Sequence, residues 1–500
     1  MLWIQPLSGE GKRPVMNRNV VLLQPRVGDM DHFRDHPTPP LGLLCAAANV
    51  VADMEVRMVD QRADKAWRSR LAGSIDSGTV AVGITTLTGG MIQNALEAAR
   101  EAKRLRDVPI VWGGIHPSLL PEQTAKHELV DYVVEGEGEQ AFGSLVKKLA
   151  AGADVAGIPG VWHRKDGQVT GTPRAALLDF GELPPPAYAV VDMENYIQNW
   201  RGKRMFFYQS SRGCPCHCAY CYNRAYNLGR WRAMPAERTL SEMADLQRRY
   251  DFSMVYFLDD NFFIDHRRAL KILAGMKDLG IRSSLQGVDV ETLAKLSEAD
   301  LDFLEAAGVE RITIGVESGL DRVRQGVLKK VGGIQLVRQQ LARLRGRGII
   351  VLASFVIGFP SETLDEIRRT MDFAMEMLRL GDNFRVPQFY NYQPYPGTEL
   401  FDSLRGEGFP FPTRLEDWGN YDWDYSKMHE DQPKVRDALE RMCFLSKFLD
   451  RKVEDWGFAN RGLRVIYNLY RPVAWARLRR GMLRPLPERW FYRMLKGAAV

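Results

Sequence analysis

The sequence predicts an α/β protein: an N-terminal doubly wound domain, a partial (β/α)6 barrel, and a helical C-terminal region. Three observations predict it. Short apolar or β-branched runs alternate with helical stretches in two successive series, the pattern of parallel strands covered on both faces. Five hundred residues exceed what one core holds, so two or three domains are expected. A composition with 45% hydrophobic and 26% charged residues is that of a folded globular protein.

Residues 1–18 form an N-terminal extension. The first series fills residues 19–150, with strands in NVVLLQP, EVRMVDQ, TVAVGITT, PIVWGGI and DYVVEGEG. LGLLCAAANVVAD and MIQNALEAAREAKRLRD are helices between them. Doubly wound sheets bind ligands at the carboxyl ends of their strands. Those ends carry Thr85, Thr86, Gly113, Gly114, His116, Glu135, Gly136 and Glu137. Glycine admits close approach of a ligand to the backbone, and equally makes tight turns. No G-x-G-x-x-G opens a helix after the first strand, which disfavours a dinucleotide.

Residues 151–200 read as a linker, stiffened by three consecutive prolines in ELPPPAYAVVD. The second series fills residues 201–430, with strands in MFFYQSS, VYFLDD, RSSLQG, RITIGVES, VLASFVIGF and QFYNYQPY and helices between them. Six βα units with right-handed crossovers curl into an open barrel, two units short of closure, with chemistry at the carboxyl ends of its strands. Residues 431–500 are helical and basic.

No stretch approaches eighteen uninterrupted apolar residues, and the N-terminus lacks the apolar core of a signal peptide. A cytoplasmic protein with reduced thiols is expected. Residues 461–500 hold ten Lys or Arg against one acid, Glu488, a net of +9; the whole chain is +6, so the remainder sums to −3. That balance argues against a nucleic-acid surface on the body of the protein. The tail interleaves its cations with Trp475, Trp490, Phe491 and tyrosines. It reads either as a basic helical pair folded on the barrel or as a peripheral membrane contact.

SRGCPCHCAYCYN, residues 211–223, places four of the six cysteines within eight positions, after the first barrel strand. Zinc wants four ligands, typically two C-x2-C pairs, and no second pair exists. A ferredoxin-like carrier also needs four thiolates, usually including a distant one. The third reading takes Cys214, Cys218 and Cys221 alone, leaving one iron of a four-iron cluster open, with Cys216 a bystander. Cys45 and Cys443 read as packing residues.

Cys214-x3-Cys218-x2-Cys221, with Tyr220 before the last cysteine, is similar to the signature of the radical S-adenosylmethionine superfamily. VYFLDD, Gly315-Val316-Glu317-Ser318, SFVIGFPSE and PYPGT follow in the expected order on successive strands. Upstream, Pro39-Pro40-Leu41-Gly42, GGIHPSLLPE and VVEGEGE resemble the cobalamin-binding domain that precedes the barrel in one large subgroup. The resemblance covers about residues 19–430.

The resemblance implies a [4Fe-4S] cluster on Cys214, Cys218 and Cys221 whose open iron chelates S-adenosylmethionine. One-electron cleavage then yields a 5′-deoxyadenosyl radical that abstracts a substrate hydrogen. It implies that Tyr220, Asp259, Asp260, Glu317, Ser318 and Gly358 line the S-adenosylmethionine site. Asp259 and Asp260 stand where the family commonly has Gly-Gly-Glu, and a helix cap is their other reading. It further implies a Rossmann-like domain binding cobalamin through Pro40, Gly42, Thr85, Thr86, Gly113, Gly114, His116, Glu135, Gly136 and Glu137.

D-x-H-x-x-G is absent, and His32 and His36 have the wrong spacing for it, so cobalamin is expected base-off with no histidine beneath the cobalt. The implied activity is methylation of an unactivated carbon, as in class B methyltransferases. The alternative is oxidative cyclisation, as in anaerobic magnesium-protoporphyrin ester cyclase-like enzymes, on a tetrapyrrole or lipid-like substrate. From another class comes an iron–sulfur electron-transfer or sensor protein. The implied partners are a small, hydrophobic substrate and an electron donor such as flavodoxin or ferredoxin.

Overall fold

A computed structural model describes residues 18–28, 36–165, 167–421, 427–450 and 461–485. His32, Trp490 and Phe491 lie outside the described residues, as do residues 1–17 of the N-terminal extension.

Five parallel strands form the first sheet: β1 (Asn19–Gln24), β2 (Glu55–Asp60), β3 (Thr79–Thr85), β4 (Ile110–Gly113) and β5 (Tyr132–Val134), in the order 2-1-3-4-5. The alternation of β1 divides two cores. Val20 and Leu22 pack under the helices Leu41–Ala48 and Gly138–Ala151, while Val21 and Leu23 pack under Trp67–Ser74 and Met91–Leu105. Every residue of β1 is buried, as a central strand covered on both faces requires. Order reverses between β1 and β3, the switch point at which such sheets open a crevice.

The stretch read as a linker adds two antiparallel strands to this sheet, β6 (Val161–Lys165) and β7 (Gln168–Gly171). Of the two, only β7 is the open edge; β6 lies between it and β5, and both strands are too short to carry a core periodicity. The proline run then lies against both domains: Ala187 N–H donates to the Leu44 carbonyl (3.0 Å), and Tyr188 packs on Phe206 with ring centroids 5.4 Å apart.

The second sheet begins with β8 (Gln198–Trp200), antiparallel to β9 (Lys203–Tyr208). Between β9 and the next long strand, a two-residue ladder of β10 (Ser211–Arg212) and β11 (Arg232–Ala233) pinches off the cysteine loop. The sheet continues in parallel through β12 (Met254–Phe257), β13 (Arg282–Val288), β14 (Val309–Glu317) and β15 (Ile350–Ile357). The sixth position is split: β16 (Phe384–Arg385) and β17 (Phe389–Asn391) both pair with β15.

Alternate residues separate the outside of this open barrel from its lumen. Ile312, Ile314 and Val316 of β14, with Val351, Ala353 and Phe355 of β15, join the large core beneath the helices. The opposite face is floored by Trp200, Met205, Phe207, Met254 and Ile350. Arg311 lies on that floor over the rings of Trp200 (5.2 Å) and Tyr256 (4.8 Å).

After the barrel the chain returns to the first domain, where Phe401, Leu415, Trp418 and Tyr421 enter one of its cores. The helix Pro433–Ser446 then covers β17, the Ser446 hydroxyl accepting the Phe389 N–H (2.8 Å).

Candidate functional site

The cysteine loop is fastened from below by two carboxylates. Asp259, at the end of β12, accepts the Ser210 N–H (2.7 Å) and the hydroxyls of Ser210 and Ser211 (both 2.6 Å). Asp260 accepts the Gly213 N–H (2.7 Å). Gly213 has φ +88°, and a Cβ there would sit 1.9 Å from the Arg230 carbonyl, so only glycine fits this corner. Gly287 serves the clamp likewise, since a Cβ would meet the Asp259 and Asp260 carbonyls at 2.2 and 2.4 Å. Asp259 thereby departs from its expected role: buried and saturated by serine donors, it positions the loop and offers no oxygen to a ligand. Asp260, bonded also by the Asn223 side chain, keeps exposed surface and remains a candidate acceptor.

Within the loop the Cys214 N–H donates to Asn223 Oδ1 (3.1 Å), and Asn261 Nδ2 approaches Cys214 Sγ (3.8 Å). The Ala219 N–H bonds the Leu328 carbonyl (2.9 Å), and the Ala219 carbonyl takes the Leu400 N–H (3.0 Å). The contact between the Cys214 and Cys216 thiols lowers Cys214 and raises Cys216. Burial pushes Cys218 up to about 11 and Cys221 up to about 12. Thiolates at such positions call for a cationic centre against them. Among the described residues no three His, Cys, Asp or Glu side chains converge on a single metal ion. Three soft thiols on one clamped loop at a barrel mouth fit an iron–sulfur cluster.

Beside the loop lies a buried charge cluster that only partly matches the sequence reading. Glu317, the last residue of β14, holds φ +66°, which a non-glycine adopts at a cost. The conformation turns its carboxylate toward Tyr220, whose hydroxyl hydrogen-bonds it. Lys330 stands 4.0 Å from Glu317 and 3.1 Å from Asp289. Burial works against the Lys330 charge, but Asp289 and Glu317 outweigh it. Burial also raises Glu317 despite Lys330 and Tyr220, so this carboxylate is under-compensated. Lys330 and Asp289 escaped the sequence reading because they sit in loops with no motif around them. Together these groups suit the polar end of S-adenosylmethionine and its ribose. Ser318 does not join them: its hydroxyl meets Thr370 Oγ1 (3.2 Å) behind the strand and accepts the Leu320 N–H (3.3 Å). Gly358, at φ +81°, has Leu439 of the helix Pro433–Ser446 close along its Cβ direction (3.2 Å). Its N–H donates to Glu362 Oε2 (2.8 Å), a carboxylate that burial lifts to about 7.

The carboxyl edge of the first sheet faces this mouth, and its expected ligand residues divide into two groups. Gly42 has open space around its Cβ direction, and Gly113 has only the Val134 carbonyl at 3.9 Å. Thr86 is fully buried, with Oγ1 lacking a hydrogen-bond partner. Gly42, Thr85 and Gly113 keep accessible surface at the switch-point crevice, the place for a bulky ligand such as cobalamin, with buried Thr86 beside them and buried Pro40 opening the helix Leu41–Ala48. Gly114 is packing: a Cβ would meet Thr85 Oγ1 at 2.6 Å.

The others are spent internally. Buried His116 is pushed down to about 3 and stays neutral, its Nδ1 against Thr88 Oγ1 (2.9 Å) and its ring 5.8 Å from Trp418. Glu135 accepts the Trp162 indole N–H (2.8 Å), and Gly136 is tied to Ser118 and Tyr226. Glu137 takes Arg232 on both oxygens (2.9 and 2.8 Å), Arg212 (2.9 Å) and the Leu178 N–H (2.9 Å). Arg212 also pairs with Glu139 (2.7 Å). The acidic run of the first domain is therefore a clasp on the two arginines that bracket the cysteine loop, not a ligand edge. His36 is held at the Asn195 carbonyl (3.2 Å).

Comparison with known proteins agrees with this geometry. Residues 208–374 match the family model "Radical SAM superfamily" and residues 34–146 the "B12 binding domain". An uncharacterized methyltransferase of Pyrococcus horikoshii is 29% identical over 448 residues, covering 86% of this chain and 94% of its own. The cobalamin-dependent S-adenosylmethionine radical enzyme OxsB, solved with aqua-cobalamin and S-adenosylmethionine, superposes with TM-score 0.65 at 15% identity, over 94% of this chain and 81% of its own. The radical S-adenosylmethionine methyltransferase TsrM of Kitasatospora setae, solved with cobalamin and a [4Fe-4S] cluster, superposes with TM-score 0.62 at 20% identity, over 78% and 75%. The chain thus carries a B12 binding domain at residues 34–146 and a radical S-adenosylmethionine domain at residues 208–374, on the crevice and loop described above.

Proposed function

We propose that the protein is a cobalamin-dependent radical S-adenosylmethionine methyltransferase that methylates an unactivated carbon of an uncharged, largely apolar small molecule. The observation that carries the reading is the placement of the cysteine loop. It is clamped from below by Asp259 and Asp260 and clasped from the side by Glu137 of the cobalamin-binding domain. When bound, the cluster and S-adenosylmethionine supply reductive cleavage and hydrogen abstraction, and cobalamin supplies the methyl group.

The chain's own residues bind, orient and shield. Cys214, Cys218 and Cys221 hold the cluster; Glu317, Lys330, Asp289 and Tyr220 orient the polar end of S-adenosylmethionine; Asp260 accepts from its ammonium. Gly42, Thr85, Thr86 and Gly113 receive cobalamin at the facing edge. Strand alternation turns Leu258, Leu352 and Val356 and the neutral polar side chains of Gln286, Thr313 and Ser354 toward the lumen above the aromatic floor, Gln286 exposed and the others partly accessible. Ionised groups gather at the rim and on the floor, so the space between favours an apolar body with a few hydrogen-bonding groups. A flavodoxin- or ferredoxin-type protein supplies the electron.

The test is anaerobic reconstitution with cluster, cobalamin, S-adenosylmethionine and reductant, followed by a mass search of products from apolar cell extract. Cleaved S-adenosylmethionine and a product gaining one methyl group are expected. A product that only loses hydrogens would replace methylation by cyclisation. Intact S-adenosylmethionine in fully reduced protein would replace the enzyme by an electron carrier or sensor.

A further inference from the structure

Seven large apolar side chains stand exposed among the described residues, and four of them lie between 465 and 482. Val465 (58% exposed), Leu469 (73%) and Val473 (47%) recur every four residues along the helix Arg461–Arg480, and Met482 (45%) follows its end. That spacing makes one continuous stripe, with exposed Pro472 beside it.

The stripe is not the trace of a loosely seated helix. On the inner face Ala474 and Leu478 are buried, the Trp475 indole N–H bonds the Leu449 carbonyl (3.1 Å), and the Tyr467 hydroxyl bonds the Lys447 carbonyl (2.6 Å). Arg379 lies 4.9 Å over the Trp475 ring. The helix is anchored on one side and apolar on the other.

Charge selects the occupant. Residues 461–500 carry ten Lys or Arg and one acid, while the rest of the chain is slightly acidic. Arg479 and Arg480 are exposed at the helix end nearest Val473. Three aliphatic side chains are far short of the roughly 800 Å² per partner that a stable dimer needs. They suffice for shallow insertion between headgroups when cations flank them. No described helix is long and apolar enough to cross a membrane.

We infer that the outer face of the helix 461–480 docks the protein onto an anionic membrane surface, with Val465, Leu469 and Val473 entering the acyl boundary and the arginines at the phosphates. This contact is independent of the chemistry in the barrel.

The experiment is co-sedimentation of the full-length protein with phosphatidylglycerol–phosphatidylcholine vesicles and with pure phosphatidylcholine vesicles, at low and high salt. Wild type should pellet with the anionic vesicles at low salt and be released at high salt. Leu469→Glu/Val473→Glu should lower the partition at least about tenfold with unchanged thermal melting, because both side chains face outward. Arg480→Glu should lower it about tenfold on anionic vesicles alone. Wild type remaining in the supernatant, or the double variant pelleting like wild type, overturns the inference. So does a wild-type dimer in solution that the double variant abolishes, since the stripe would then belong to a second copy.

Discussion

Two buried charge clusters flank the cysteine loop, and they are finished to different degrees. In the clasp, every carboxylate oxygen of Glu137 is taken by Arg212, Arg232 or the Leu178 N–H at 2.8 to 2.9 Å. At the rim, Lys330 reaches Asp289 at 3.1 Å but lies 4.0 Å from Glu317, whose carboxyl burial raises and whose backbone sits at φ +66°. A saturated cluster fixes one domain against another. A strained and under-compensated one has capacity left for a ligand. Both are built from acids at strand ends, so location alone does not separate structural from binding carboxylates; the count of satisfied oxygens does.

The largest expected effect breaks the clasp. Glu137→Ala leaves Arg232 buried without a carboxylate and Arg212 with Glu139 alone, a loss of about 3 to 5 kcal/mol. Urea unfolding of the purified variant measures it, and a cost below about 1 kcal/mol would remove the clasp from this account.

Glu362 lies between the two cases, with one oxygen bonded to the N–H groups of Gly358 and Phe359 and the other unpartnered. Burial raises its carboxyl from the ordinary 4.5 to about 7, so between those values the folded chain holds a proton that the unfolded chain has lost. Its contribution to stability therefore falls as pH rises through that window, by up to roughly 3 kcal/mol, and is constant above it. Glu362→Gln should flatten the difference between urea midpoints at about pH 5 and about pH 8. An unchanged difference would contradict the assignment.

The rim gives the smallest change in free energy and the sharpest contrast. Glu317→Gln should weaken S-adenosylmethionine binding about 10- to 100-fold in equilibrium dialysis, the loss of one charge-assisted contact. Stability should stay within about 0.5 kcal/mol, because burial already opposes the charge that the substitution removes. A variant that loses stability but keeps affinity would make the rim a second clasp.

Much of this was legible beforehand. Uninterrupted runs such as NVVLLQ announce central parallel strands, and the C-x3-C-x2-C loop after the first barrel strand announces the cluster. What escaped is long-range. Glu137 meets Arg212 and Arg232, residues 75 and 95 positions away, and nothing in EGEGE distinguishes an arginine partner from a cofactor. Asp259 and Ser318 carry the right chemistry at the right strand ends, but their side chains are taken by serines and by Thr370. β6 and β7 are short strands at the end of the sheet, β7 outermost, and too few of their residues are apolar to mark them as strands in the sequence. Lys330 becomes a site residue only because the loop carrying it closes over Glu317 and Asp289.

The central claim is that three clamped cysteines hold a cluster with one iron left open, and that Cys216 is no ligand. Anaerobic iron and sulfide analysis of four single variants tests it most directly: Cys214→Ala, Cys216→Ala, Cys218→Ala and Cys221→Ala. The account predicts that iron is lost from the first, third and fourth and retained by Cys216→Ala. Cys216→Ala losing iron as completely as Cys218→Ala would contradict it.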